Sequence, residues 1–253
     1  MRHFLTILGH EVRMLLVNPS TYIAAVLFLA VMGFVFTSLL NSFSSSVQES
    51  SPAFMFFQSY PIPVLFMVPL LTMRCLAEER RLGTIETLLT TPVSTTEVVL
   101  GKYSAAYLLY IALWGSTTGF FYLLHSFSDD NHLLDQGPLI GGYAFVAVSG
   151  LLFVAVGVFA SALSRNQAVA GILSFALLFA LLVGVQYLPQ VAFLQGENFE
   201  GFRSIVEAAR IDVHFRDFCR GIIDTRQIFF HLSGTALMLI LSILSVEAKL
   251  LHS

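Results

Sequence analysis

Six long stretches of apolar residues alternate with shorter polar segments along the 253-residue chain. Each stretch is close to the roughly 20 residues that an α-helix needs to cross the hydrocarbon core of a bilayer. The alternation therefore predicts six transmembrane helices. Their expected ranges are 21–40, 52–73, 103–124, 137–163, 168–188 and 228–246.

Two of these spans have an unusual composition. The second contains Pro61, Pro63 and Pro69, and we expect it to be kinked or broken in its outer half, because proline removes a backbone donor. The fourth is rich in small residues, which favour close contact between helices over exposure to lipid. These small residues are Gly141, Gly142, Ser149, Gly150, Gly157 and Ser161.

An amphipathic pattern with helical period precedes the first span. On a helical wheel of residues 2–17, one side is apolar and the other is polar. The apolar side holds Phe4, Leu5, Leu8, Val12, Leu15 and Leu16, and the polar side holds Arg2, His3, Thr6, His10 and Arg13. The pattern predicts an interfacial helix within residues 1–20 that lies in the headgroup plane and ends near Asn18 and Pro19.

A polar segment, residues 74–102, separates the second span from the third. It carries four basic and four acidic residues, which are too many charges to bury in lipid. Within it, Ile85, Leu88 and Leu89 have the spacing of one apolar helix face, and Pro92 ends this short helix. We expect an amphipathic helix at the membrane surface that docks on a soluble partner; an ordinary interfacial turn is the alternative.

Two positions match the spacing of a capping box, in which the first side chain caps the helix and the fourth reaches back. Ser94 with Glu97 is expected to open the helix that leads into the third span. Asp224 with Gln227 is expected to open the sixth span.

The segment before the last span, residues 189–227, is too long for a simple turn. It mixes aromatic and aliphatic residues with regularly spaced charges. Asp212 and Arg216 stand at i, i+4, and Asp217 and Arg220 stand at i, i+3, which are favourable pairs on a helix. We expect one or two short external helices that dip into or cap the outer leaflet.

The distribution of basic residues indicates the orientation. An even number of spans places both termini on one side of the membrane. With the termini in the cytoplasm, eight basic residues lie inside and five outside, which is the bias that cytoplasmic loops show. We therefore expect cytoplasmic termini. Cys75 and Cys219 would then lie on opposite sides of the membrane, so we expect no disulfide between them.

Composition supports an integral membrane protein, with 56% hydrophobic residues, 11% charged residues and a mean hydropathy of +0.79. We expect the lipid bilayer as a partner and no nucleic acid. Within the predicted spans the one ionisable side chain is His231, whereas carriers driven by ions usually hold such groups in mid-membrane. His231 is better explained as a packing or interfacial residue.

The sequence lacks the motifs of common enzymes. It has no G-x-x-x-x-G-K-[ST] phosphate loop, no H-E-x-x-H and no G-x-S-x-G. We therefore expect no catalytic site and no cofactor on this chain. Asp129, Asp130, His132 and Asp135 cluster in one outer loop, but their spacing matches no established metal-ligand pattern, so we expect no metal site.

The segment 77–102, AEERRLGTIETLLTTPVSTTEVVLGK, resembles the first cytoplasmic loop of bacterial type-2 ABC exporter permeases. The likeness is closest to the gliding-motility and nitrous-oxide-reductase-maturation permeases. The matching positions are Glu78 to Arg81, Gly83, Thr84, Glu86, Leu88, Leu89, Pro92 to Ser94, Gly101 and Lys102. A second segment, 214–233, is similar to the external segment that enters the last span of these proteins, so the resemblance covers the whole chain.

The resemblance implies that residues 74–102 form a coupling region that rests on a separate cytoplasmic ABC ATPase. The implied ATPase-coupling residues are Gly83, Thr84, Ile85, Glu86, Leu88, Leu89, Thr91 and Pro92. The implied charged hinge, which would transmit movement to the second span, consists of Glu78, Glu79, Arg80 and Arg81. For these four residues a solvated, self-paired surface run is the alternative. The amphipathic leader would be an elbow helix that slides along the membrane surface.

These expectations combine into an all-α integral membrane protein, a single permease domain over residues 1–253 with six transmembrane helices preceded by an amphipathic interfacial elbow helix. The resemblance implies a permease subunit of an ABC exporter in the bacterial inner membrane, paired with a second permease subunit as a homodimer or heterodimer. ATP and Mg²⁺ would bind the ATPase subunit. The alternative is a non-transporting membrane scaffold that transmits ATPase-driven conformational change to periplasmic partners. The sequence does not indicate the substrate.

Overall fold

A computed structural model describes residues 2–45, 51–83, 94–127, 135–188 and 200–250. The regular secondary structure in this part of the chain is helical. The helices are α1 (Arg2–Val17), α2 (Pro19–Ser45), α3 (Pro52–Gln58), α4 (Pro61–Thr72), α5 (Ala77–Leu82), α6 (Thr95–Ser116), α7 (Thr118–Phe127), α8 (Gln136–Leu163), α9 (Gln167–Phe179), α10 (Val185–Tyr187), α11 (Glu200–Ala208), α12 (Ile211–Cys219) and α13 (Thr225–Leu250).

Six helical segments in the described part are long and apolar enough to cross a membrane. They are Pro19–Phe43, Pro61–Leu82, Thr95–Ser126, Gln136–Leu163, Gln167–Tyr187 and Thr225–Ala248. The predicted all-α integral membrane protein with six spanning helices is therefore confirmed. The fifth span contains a π-helical turn, Ala180–Gly184, which the sequence pattern did not predict.

The second span breaks where its prolines predicted, although its limits differ from the expected 52–73. The chain turns at Ser59 and Tyr60, so that α3 stands apart from α4. Pro61 occupies the first turn of α4, where the backbone N–H has no partner in the helix in any case. The candidate span then runs from Pro61 to Leu82, so that the charged residues between Arg74 and Arg81 form its last part.

The third span begins earlier than expected. The predicted capping box is present, because Ser94 Oγ accepts the N–H of Glu97 at 3.3 Å and Glu97 Oε2 accepts the N–H of Ser94 at 3.4 Å. Helix α6 therefore starts at Thr95, and Lys102 lies inside it. The sequence pattern predicts Lys102 in the polar segment before the span, whereas in the structure its side chain is only 6% exposed.

Helix α8 is the centre of the bundle, and α4, α6, α9, α12 and α13 pack around it. Its small residues allow this packing, as predicted. At Gly141 an added Cβ would overlap the backbone carbonyl of Phe218 on α12. The same substitution would meet a neighbouring side chain at three other glycines of this helix: Gly142 against Phe57, Gly150 against Tyr110 and Gly157 against Thr72.

The segment 189–227 forms two short helices in its described part, α11 and α12, as predicted, while residues 189–199 lie outside the described residues. Of the two expected charge pairs, Asp212 with Arg216 is present at i, i+4, whereas Asp217 binds Gln227 instead of Arg220. Asp212 binds Arg210 at 2.8 Å and lies 4.0 Å from Arg216. Asp217 accepts a hydrogen bond at 2.6 Å from Gln227 Nε2.

Only half of the second predicted capping box, Asp224 with Gln227, is present. Asp224 does cap α13, since its carboxylate accepts the N–H of Arg226 at 2.8 Å. The side chain of Gln227 is used for Asp217 instead of the predicted bond back to Asp224. In the loop before α8, Asp135 caps this helix by accepting the N–H of Gly137 at 3.2 Å, while Asp129, Asp130 and His132 lie outside the described residues.

Successive spans run in opposite directions, so that the bundle has two chemically different ends. One end, which we call the charged end, carries α1, α5, the start of α6 and the last turns of α8 and α13. The other, the aromatic end, carries α3, α12 and the first turns of α8 and α13. Cys75 belongs to the charged end and Cys219 to the aromatic end, and both are free and buried.

Candidate functional site

Helix α5, which holds the predicted charged hinge, is separated from α4 by a turn at residues 73–76. Ser161 of α8 closes this turn: its hydroxyl accepts the N–H groups of Leu76 and Ala77, each at 3.0 Å, and donates to the carbonyl of Met73 at 3.2 Å. Ser161 is completely buried. Because the first N–H groups of a helix have no partner within it, this one side chain fixes the start of α5 to the centre of the bundle.

A buried ion pair fixes the middle of α5. Lys102 Nζ of α6 lies 2.7 Å from Glu79 Oε1 and 2.7 Å from Glu11 Oε1 of α1. The two carboxylates are 16% and 18% exposed. A cation held between two carboxylates away from water depends on both of them, since removing either partner leaves an uncompensated charge. We call these three residues the Lys102 cluster; it joins α1, α5 and α6.

A third attachment joins α5 to the last span. Arg80 Nη2 donates to the carbonyl of Ser245 on α13 at 3.1 Å. The hydroxyl of Ser245 in turn donates to the carbonyl of Ala162 on α8 at 3.2 Å. Helix α5 is thus bound to the final turns of both α8 and α13.

The turn that enters the first span is bound to the same region. Arg74 Nη1 donates to Asn18 Oδ1 at 2.6 Å. The same oxygen accepts the N–H of Ser20 at 3.2 Å and its hydroxyl at 3.1 Å. Arg74 therefore links the junction of α1 and α2 to the end of the second span.

The four predicted hinge residues have different environments. Glu79 and Arg80 bind other helices, so a self-paired surface run is wrong for these two. Glu78 lines a cavity, and Arg81 is exposed. Gly83 ends α5 in the left-handed conformation, with φ of 69°, which glycine adopts without strain.

The other predicted coupling residues lie outside the described residues. They are Thr84, Ile85, Glu86, Leu88, Leu89, Thr91 and Pro92. The described chain stops at Gly83, directly after α5, and resumes at Ser94, directly before α6. Both ends of this segment are thus attached to helices that the Lys102 cluster joins.

A cavity of about 450 Å³ lies between α1, α5 and α6. Its wall combines charged and apolar side chains. The side chains that line it include His10, Glu11, Met14, Arg74, Glu78 and Lys102. The Lys102 cluster therefore forms one wall of an open space beside α5.

Sequence reasoning missed Glu11 because the helical wheel of α1 was assigned a slightly different face. The side chain of Ile7 lies against Gly101 of α6, so the face of α1 that carries Ile7 packs on the bundle. Leu5 is 65% and Leu16 is 49% exposed, so their side of α1 points away from the bundle. Glu11 stands four residues after Ile7 and so lies on the same face. A carboxylate within this apolar stripe was the available signal for a buried cationic partner.

The chain matches the family model described as ABC-2 family transporter protein over residues 5–247. This range begins within α1 and covers the first five candidate spans and all but the last residue of the sixth. Among curated proteins, no relative matches the chain.

Proposed function

The chain belongs to the ABC-2 transporter family, and we propose that its helix α5 transmits force from a separate ABC ATPase to the transmembrane bundle. As a member of this family it is a membrane-spanning subunit of an ABC transporter. We further propose that it exports a substrate across the bacterial inner membrane, with both termini in the cytoplasm. ATP and Mg²⁺ would bind the ATPase, and a second permease subunit would complete the pathway.

The attachment of α5 to three parts of the bundle is the observation that carries this proposal. Ser161 binds its start, Lys102 binds its middle and Ser245 binds Arg80 one residue later. A helix held in this way moves its neighbours when it is displaced. A surface turn with no mechanical role would need none of these buried contacts, because burying the polar groups that make them is costly.

The segment that follows α5 would supply the contact with the ATPase. We propose that Ile85, Leu88 and Leu89 form the apolar face that fits a groove on the ATPase, and that Gly83, Thr84, Glu86, Thr91 and Pro92 shape this contact. Force on this segment would reach α5 through Gly83. The cavity beside Glu78 would give α5 room to move relative to α1.

The test introduces a charge into the proposed apolar face. Leu88→Glu places a carboxylate where the ATPase groove must exclude water, and an unpaired buried charge is strongly unfavourable. We expect ATP turnover that depends on the complex, measured in proteoliposomes with the ATPase subunit, to fall by about tenfold or more, which corresponds to about 1.4 kcal/mol or more of lost contact energy. The matched control, Leu88→Met, keeps an apolar side chain of similar volume and should retain near-normal turnover.

Turnover and complex formation that are unchanged in Leu88→Glu would contradict the proposal. The melting temperature of the permease should be the same in both variants, because the change lies at a contact between subunits. The scaffold alternative is distinguished by a second reading: it expects ATP turnover to move periplasmic partners without any net passage of solute through paired permease subunits.

A further inference from the structure

Two histidines meet at the aromatic end without the partners that buried imidazoles usually have. His214 of α12 is 4% exposed and His231 of α13 is fully buried. Their ring centres are 5.5 Å apart and their planes are inclined by 80°. Within the described residues, His214 Nδ1 and both ring nitrogens of His231 lack a hydrogen-bond partner.

The remaining surroundings of the pair are largely apolar. The ring of Phe145 on α8 lies 6.4 Å from His231, and the ring of Phe230 lies 5.5 Å from His214. His214 Nε2 is 3.2 Å from the carbonyl of Ala208. A proton on either ring would therefore place a positive charge in a site with few acceptors, which is unfavourable.

Three nearby carboxylates act on His214. They are Asp212 and Asp217 of α12 and Asp224 before α13. The three carboxylates favour a protonated His214. Burial outweighs them, so that the pKa of His214 lies below its ordinary value of 6.5.

The pair sits where α12 is held against the bundle. Phe215 and Phe218 of this helix pack on Phe145 at ring-centre distances of 5.4 and 6.0 Å. The backbone of Phe218 lies against Gly141. Because His214 lies on α12 and His231 on α13, separation of these helices would open both rings to water.

We propose that His214 and His231 form a proton-binding site that loosens the docking of α12 as the pH falls. In the docked state burial away from acceptors disfavours a proton on either ring, and in the open state each ring takes up a proton as a solvated histidine does. This inference concerns the aromatic end and does not depend on the role assigned to α5.

The direction and size of the effect follow from proton linkage. A basic group that is harder to protonate in the docked state stabilises that state above the pKa of the open form, and this contribution is lost as the pH falls below it. With an ordinary histidine pKa of about 6.5, lowering the pH from about 7.5 to about 5.5 raises the opening equilibrium about tenfold for each ring that remains neutral when docked. Two such rings give up to about a hundredfold.

Hydrogen–deuterium exchange of the full chain in lipid nanodiscs measures this opening. The observable is protection at residues 211–219 at the two pH values, corrected for the intrinsic pH dependence of exchange. We expect protection of this helix to fall at least about tenfold at the lower pH, while protection of the centre of α8 stays constant. Equal protection of residues 211–219 at both pH values, including complete protection at both, would overturn the proposal.

Variants assign the effect to the two rings. His231→Phe should reduce the response to at most about one tenfold step, and the double variant His214→Gln with His231→Phe should abolish the pH dependence. His125→Gln alters an exposed histidine at the same end and should keep the full wild-type response. Loss of the response in His125→Gln, or its persistence in a double variant whose α8 protection remains normal, would contradict the assignment.

Discussion

The two ends of the bundle are attached to its centre by opposite chemistry. At the charged end, α5 is held by one buried cation, one arginine and one serine hydroxyl. At the aromatic end, α12 is held mainly by ring packing and a close backbone contact at Gly141, with one hydrogen bond from Gln227 to Asp217. Within the described part of the chain, three of the four ring nitrogens of His214 and His231 there have no hydrogen-bond partner. Polar contacts depend on direction and weaken when their geometry is lost, so they restrict how α5 can move relative to its neighbours. Ring packing depends mainly on shape and is disturbed by buried charge.

The largest effect is expected from removing the central cation of the charged end. Lys102→Met leaves Glu11 and Glu79 close together, partly buried and without their shared partner, and should destabilise the protein by about 3–5 kcal/mol. Thermal unfolding of the purified chain in detergent measures the change. Arg81→Met, which removes an exposed charge from the same region, should shift stability by less than about 0.5 kcal/mol. Similar losses for the two variants would contradict a special role for the Lys102 cluster.

A smaller effect is expected at the aromatic end. Gly141→Ala brings a methyl group into the carbonyl of Phe218 and should cost about 1–3 kcal/mol by forcing α12 away from α8. Exchange protection at residues 211–219 should fall more than protection at α5. Gly115→Ala is the matched control, since an added Cβ there has no neighbour within 4 Å. If Gly141→Ala loosened both ends equally, the two ends would not be independently attached.

The sequence was sufficient for features that depend on local spacing. The six spans follow from the length of the apolar stretches, and the capping box follows from the three-residue separation of Ser94 and Glu97. The close packing of α8 follows from its small residues. Each of these is decided by residues near one another in the chain, so a single sequence contains the necessary information.

Contacts between distant segments could not be predicted in the same way. Glu11 and Lys102 are 91 positions apart, and Ser161 meets Leu76 across 85 positions. Gln227 illustrates the competition, because its local capping role is replaced by a hydrogen bond to Asp217 on the preceding helix. His214 was likewise assigned to an external segment, and only the packing of α12 on α13 brings it to His231.

The central claim is that the segment after α5 faces the cytoplasm, where an ATPase can press on it. Labelling of Ile85→Cys with a membrane-impermeant maleimide tests this claim most directly, in a chain whose Cys75 and Cys219 are replaced by serine. We predict labelling in inverted inner-membrane vesicles and none in intact spheroplasts, with the opposite result for Gln136→Cys at the start of α8. Labelling of Ile85→Cys in intact spheroplasts would contradict the account.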